Sequence, residues 1–216
     1  MKSHKLLLFT DRFAPGETTA ISSAIRVLYV AQGSLVVRAA GISASLDPNS
    51  TWCGTGVAAF AAGKSGARVL RWEIAAHAEP PLVKACADCT PILSVPINLP
   101  ASEVLLRCDR VEFPPGGEAL THVHQGPGIR CLLTGSIRID SAEASHTYGP
   151  GDAWFESGPE PVYAAASATE STAFARVTIL PRTCHGKSSI RYVHPEDADK
   201  PKTQKYQIFA DEFISP

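Results

Sequence analysis

The sequence predicts an all-β protein folded as two tandem antiparallel barrels with few short helices, and three observations predict it. Short β-branched or alternating runs recur between residues 26 and 179, the period of two that marks strands with one buried face. Sixteen glycines and seventeen prolines gather into turn clusters at 114–117, 126–128 and 149–152, spaced as in a sandwich or barrel. The third observation is an internal repeat. Gly33, Ser34, Pro48, Trp52 and Gly56 recur as Gly135, Ser136, Pro150, Trp154 and Gly158, each 102 positions on (135 − 33, 158 − 56), and Phe13 with Pro15 and Gly16 recurs as Phe113, Pro115 and Gly116. A period of this length in 216 residues means two units, each large enough for its own core.

Taken in order, residues 26–30, 34–38 and 67–72 read as strands of a first barrel over 1–77, and 131–133, 136–140 and 173–179 as strands of a second over 101–181. Between them, 78–100 reads as the inter-domain connection, with 81–90 the one plausibly helical stretch. Beyond Pro181 the composition changes. Residues 188–192 resemble a strand, 194–202 form a charged, proline-bearing loop, and 204–213 regain apolar character through Tyr206, Ile208 and Phe209. The segment 182–216 is therefore expected to pack on the barrels as a tail; a lid over a barrel mouth and an arm exchanged with a second subunit are the other readings.

A net charge of −1 and a pI near 6.6 give no basic field, which argues against a nucleic-acid partner. The apolar run 6–9 is too short for a signal-peptide core or a membrane span, so a soluble cytoplasmic protein is expected. Six scattered cysteines suit reduced thiols. Cys86 and Cys89 have the spacing of half a zinc site, but no second pair completes four ligands, and two ordinary thiols are expected.

The chemistry concentrates in the second repeat. His122 and His124 stand where the first repeat has Ala20 and Ser22. On a strand, residues two apart project to one face, so both imidazoles can enter one barrel and offer nitrogens to a metal. By the same parity Trp154 and Glu156 share a face. Arg130 shares one with Gly128 and could grip a carboxylate, either that of Glu156 or that of a substrate.

Gly116, His122-Val123-His124 and Gly135, followed by Pro150-Gly151-Asp152 and Gly158, resemble the two motifs of the cupin family. The likeness covers 105–181, and 8–74 fits the pattern without the histidines, so the chain resembles a bicupin. The resemblance implies two small jelly-roll barrels packed as a pseudo-twofold pair, with a divalent transition metal (Fe, Mn, Ni or Zn) where the ligands are present. Two expected ligands are missing: the glutamate position falls on Gly128 and the late histidine position on Val162. Glu156 is the best replacement, making His122, His124 and Glu156 the candidate metal ligands and Arg130 and Glu156 the candidate catalytic residues. Gln125 should point away from the barrel. His77, His146, His185 and His194 read as surface histidines, and Tyr163 as a weaker candidate for the barrel mouth.

In the first barrel Arg26 takes the glutamate position, and Arg26, Arg68 and Arg71 are the candidate anchors of a secondary pocket. No phosphate loop, nucleophile elbow or zinc-protease helix occurs. Two functions stay open: a metal-dependent enzyme, dioxygenase or hydrolase, acting on a small polar or carboxylate-bearing molecule, or a non-catalytic small-molecule binder or sensor that has lost its metal. A homodimer is compatible with either.

Overall fold

The computed structural model describes residues 2–76, 85–142 and 144–216. The chain divides into two compact units, Met1–Glu103 with Ile214–Pro216, and Val104–Phe213. The expected strands form, because alternating apolar residues bury one face while the turn clusters reverse the chain.

The first unit contains β1 (Lys2–Phe13), β2 (Thr18–Ile21), β3 (Ile25–Ala39), β4 (Ile42–Leu46), β5 (Ser50–Gly54), β6 (Ala58–Ala76) and β7 (Asp88–Leu99). They pair in the order β4-β3-β6-β1-β7, with β2 on β6 and β5 on β3. The long strand β3 follows β6 through two register shifts around Val30 and Gly33. At the second shift only glycine fits: Gly33 has φ +71°, and a Cβ there would lie 2.0 Å from the carbonyl oxygen of Gly66. Phe13, Leu28, Val30, Leu35, Phe60 and Val69 fill the core.

Residues 88–99, read from the sequence as connection, form β7, pairing antiparallel with β1 from Lys2↔Leu99 to Arg12↔Asp88. Pro91 and Pro96 suggest a linker, but an edge strand needs backbone donors on one side only and tolerates both. Of the stretch 81–90 expected to be helical, 81–84 lie outside the described residues, as does His77, and the other six are not helical: 85–87 bend and 88–90 begin β7. All six cysteines are thiols. Cys86 donates to the carbonyl of Asp88 at 3.3 Å, and burial pushes its pKa up to about 12.

The second unit contains β8 (Val104–Phe113), β9 (Glu118–His124), β10 (Gly128–Thr134), β11 (Ile137–Ser141), β12 (Ala144–Tyr148), β13 (Ala153–Glu156), β14 (Val162–Ala166), β15 (Thr172–Leu180), β16 (Ile190–Tyr192) and β17 (Lys205–Ile214). These make two five-stranded sheets, β13-β10-β15-β8-β17 and β12-β11-β14-β9-β16. Val111, Phe113, Leu132, Ile139, Trp154 and Phe174 build an apolar body. Trp154 stacks on Tyr148 and meets Phe174 edge-on, with centroids 4.8 and 5.2 Å apart, arrangements that the ring quadrupoles favour.

The segment after Pro181 contributes a strand to each sheet. β16 pairs with β9 and β17 adjoins β8. Arg107, buried, fastens it: its guanidinium donates to both carboxylate oxygens of Asp211 at 2.8 and 3.0 Å, and to the carbonyls of Cys184 and Lys187 at 2.8 Å each. Among the described residues no helix is long and apolar enough to cross a membrane.

Candidate functional site

The polar end of the second unit follows from strand parity. Asp109 on β8, His122 and His124 on β9, Arg130 on β10 and Arg176 on β15 are buried, and the side chain of Glu156 on β13 is 9% exposed; all but Asp109 line one cavity with Trp154, Val162, Ile190 and Tyr206. A register shift between β14 and β9 brings His122 opposite Val162 while Ala119 still faces Ala164, so a bulge aims both histidines inward. The four residues singled out in the sequence thus lie together. Gln125 is absent from the cavity lining. Tyr163 does not reach the barrel mouth; its hydroxyl donates to Glu118 Oε2 at 2.5 Å in an exposed position, because the inward places on β14 go to Val162 and Ala164. His146, His185 and His194 are exposed.

His122 Nδ1 lies 2.7 Å from the carbonyl of Leu120. A carbonyl only accepts, so that nitrogen carries the proton and Nε2 presents a lone pair. Burial lowers the pKa of His122, and lowers that of His124 to about 3 against the opposing pull of Glu156; both rings are neutral near pH 7. His124 Nε2 is 3.2 Å from His122 Nε2, the distance of an N–H donating into that lone pair.

Burial alone would raise the pKa of Glu156, yet the Arg130 charge and the contacts with His124 and Trp154 hold it well below the usual carboxylate range. Trp154 Nε1 donates to Oε1 at 2.8 Å. The other oxygen, Oε2, sits 2.6 Å from Arg130 Nη2 and 3.1 Å from His124 Nε2. Both contacts are too poorly angled to be hydrogen bonds, and Glu156 Oε2, Arg130 Nη2 and His124 Nδ1 are buried without an aligned partner. Arg130 Nη1 donates to the carbonyl of Gly128 at 2.7 Å, and burial lowers the guanidinium pKa to about 10, leaving it charged.

Gly128 faces Glu156 across β10 and β13. A Cβ on residue 128 would stand 2.5 Å from the Val177 carbonyl oxygen and 2.7 Å from the Thr178 methyl, so the missing glutamate could not be restored without moving β15. Sequence reasoning misses four residues of this unit. Asp109 accepts from Arg176 Nε at 2.6 Å and Nη2 at 2.9 Å, and Arg107 holds Asp211. The available signal is a charged residue at an inward place of an otherwise apolar strand, as in Phe174, Arg176 and Thr178 on β15.

The cavity beside the histidines measures about 20 Å³, room for roughly one water. Beside it a pocket of about 140 Å³ is lined by Ser141, His146, Tyr148, Ser157 and Glu160, and shares Ile139, Trp154, Glu156 and Val162 with it. A larger hollow, about 330 Å³, borders Arg110, Thr134 and Lys205 and includes none of the predicted site residues.

The donor set does not fit a divalent metal. Among the described residues no group of three or more His, Cys, Asp and Glu side chains has the arrangement of a metal site. The His122 lone pair faces the His124 nitrogen, and the carboxylate beside them, Glu156, is taken by a guanidinium. In the first unit, Arg26 and Arg71 are spent on ion pairs: Arg26 donates to Glu73 at 2.9 Å, Arg71 Nη1 lies 2.8 Å from the same oxygen, and Arg71 donates to Asp11 at 2.5 Å. Both are engaged by neighbouring acids rather than held ready as substrate anchors.

This architecture recurs in solved structures. A point variant of the oxalate decarboxylase of B. subtilis superposes with a TM-score of 0.68 at 12% identity, covering 92% of this chain and 74% of that one. The chain has the cupin fold. AerE from Microcystis aeruginosa matches at 0.63 and 11% identity, over 81% and 88% of the two chains. A putative glyoxylate-induced protein from Pseudomonas aeruginosa matches at 0.57 and 13%, over 82% and 76%. No protein-family model matches the sequence, and no curated protein does. At these identities the likeness establishes the cupin fold, and activity has to be argued from the site.

Proposed function

We propose that the chain is a bicupin, a duplicated pair of cupin domains whose N-terminal copy lacks the metal-ligating histidines, and that its C-terminal barrel binds a small polar or carboxylate-bearing molecule beside Arg130 and Glu156. The observation that carries this is the gathering around one cavity of three residues with a buried polar atom that lacks an aligned partner, Arg130 Nη2, Glu156 Oε2 and His124 Nδ1. Buried groups are seldom left so, because each unmade hydrogen bond costs about 1–3 kcal/mol. A donor and acceptors side by side match a head group that both accepts and donates. The 140 Å³ pocket meets this cluster at Glu156 and Trp154, which sets a modest ligand volume against the polar end.

Oxalate and glyoxylate, named in the structural neighbours, are the first compounds to try. The divalent metal implied by the cupin resemblance is the rival occupant, with the metal-dependent enzyme as the rival function.

The test is calorimetry and thermal unfolding of protein purified without added metal, titrated with oxalate, glyoxylate, malonate and acetamide. At least one compound should bind and raise the unfolding temperature. Arg130→Met should abolish binding of a carboxylate, and Glu156→Gln, which frees the guanidinium, should tighten it. Failure of every compound, or undiminished carboxylate binding by Arg130→Met, overturns the reading. One equivalent of metal that disappears in a His122→Ala/His124→Ala variant favours the enzyme.

A further inference from the structure

The inward face of the C-terminal barrel carries balanced charge. Arg107 faces Asp211, Arg176 faces Asp109 and Arg130 faces Glu156, while His122 and His124 are neutral. An ion entering between the histidines would bring two positive charges with no resident anion left to answer them. It would also have to share Glu156 Oε2 with a guanidinium nitrogen 2.6 Å away. Like charges at such separations in a poorly solvated interior repel strongly.

The backbone shows how the cation comes to be there. Across β10 and β13, Gly128 stands opposite Glu156 and Arg130 opposite Trp154. With no side chain at 128, Glu156 can lie over that position and meet the guanidinium two residues on. The first unit holds the converse arrangement, Arg26 opposite Gly54, at positions 102 residues earlier (128 − 26, 156 − 54).

We propose that Arg130 decides what the C-terminal barrel accepts: its guanidinium is the built-in counter-charge of Glu156, excludes divalent cations from His122, His124 and Glu156, and leaves the cavity to a polar head group that adds no positive charge. The ligand class rests on the binding reading above; the exclusion of metal stands separately. Taking the guanidinium away leaves two imidazoles and an unanswered carboxylate, a two-histidine, one-carboxylate donor set that suits first-row divalent metals.

Cobalt(II) reports this directly, since its visible absorption shifts on binding and intensifies as the number of ligands falls. The unsubstituted chain, stripped of metal, should show no stoichiometric cobalt band. Arg130→Met should bind one equivalent, about a hundredfold or more tighter than the unsubstituted chain, as expected from removing one adjacent unit charge. Adding His122→Ala to that variant should abolish the band, and Arg130→Lys, which keeps the charge, should not develop it. Should Arg130→Met fail to fold, Arg130→Gln, still able to donate to Glu156, takes its place.

One equivalent of cobalt on the unsubstituted chain, lost in His122→Ala/His124→Ala, overturns the proposal whatever the variants do. Equal cobalt affinity in a folded charge-neutral variant and the unsubstituted chain overturns it too. Carboxylate binding is read by calorimetry without metal, so failure there leaves the cobalt result intact, and the reverse.

Discussion

In the N-terminal unit Arg26, Glu73, Arg71 and Asp11 form a chain in which Arg71 meets both acids, and the ends of Arg26 are tied to the carbonyls of Ser22 and Gly56 at 2.6 and 2.9 Å. The C-terminal unit uses the same residue types differently: Arg107 and Arg176 each hold one acid through aligned bonds, while Arg130 and Glu156 touch without alignment beside two neutral imidazoles. Buried charge is costly in both units. In the first it links strands, although Arg71 Nη1 and Glu73 Oε2 also lack aligned partners; in the second, the couple with unused bonding capacity lines a cavity together with two histidines. The contrast teaches that neither buried charge nor incomplete pairing marks the site by itself; what marks it is that incompletely paired groups and two neutral imidazoles line the same cavity.

The strongest way to break this comparison is to remove one arginine from each unit. Arg71→Met should cost about 3–5 kcal/mol, the range for leaving a buried partner unpaired, because Asp11 loses its partner and Glu73 one of two. Arg176→Met strands Asp109 alone and should fall at the lower end of that range. Urea unfolding of both variants checks the order; an equal or reversed order would mean that the N-terminal chain is not acting as a unit.

A smaller effect separates the paired glycines. Gly128→Ala drives a Cβ against the β15 backbone and should cost about 1–3 kcal/mol, as overpacking does. At Gly54 the Cβ would meet the outer ring atoms of Trp52 at 2.4 Å, and Trp52 is only half-buried. A side chain yields more readily than a strand, so Gly54→Ala should shift the urea midpoint less.

The last effect is in pH. His124 is held to about 3 in the folded state, from an ordinary 6.5, and His122 is also lowered. Between those values the unfolded chain takes up protons that the folded one refuses. Their contribution is therefore complete above pH 6.5 and is lost progressively as pH falls toward 3. His122→Ala/His124→Ala should flatten that slope in unfolding followed from neutral to mildly acidic pH; an unchanged slope would show that the rings are not buried as neutral groups.

Parity along a strand puts His122 with His124, and Trp154 with Glu156, on shared faces; the cupin resemblance points those faces inward, and spaced glycines mark the turns around them. What stays hidden depends on pairing between distant strands. Asp109 and Arg176 are 67 residues apart and Arg107 and Asp211 104 apart, and no local period brings such positions together. Parity also offers Arg130 as a partner for Glu156, but that its guanidinium lies against the carboxylate where an ion would sit follows only from the Gly128 register opposite β13. The strand over 88–99 is obscured by prolines that an edge position permits.

The Arg107 to Asp211 link also bears on how the chain acquires its shape. One sheet of the C-terminal unit is finished only when β17 arrives beside β8, a strand made about a hundred residues earlier on the way out of the ribosome. Until then β8 has an open edge and the Arg107 guanidinium lacks its carboxylate, so the nascent barrel waits unsealed while all the intervening strands are being made, and its closure is timed by the emergence of β17.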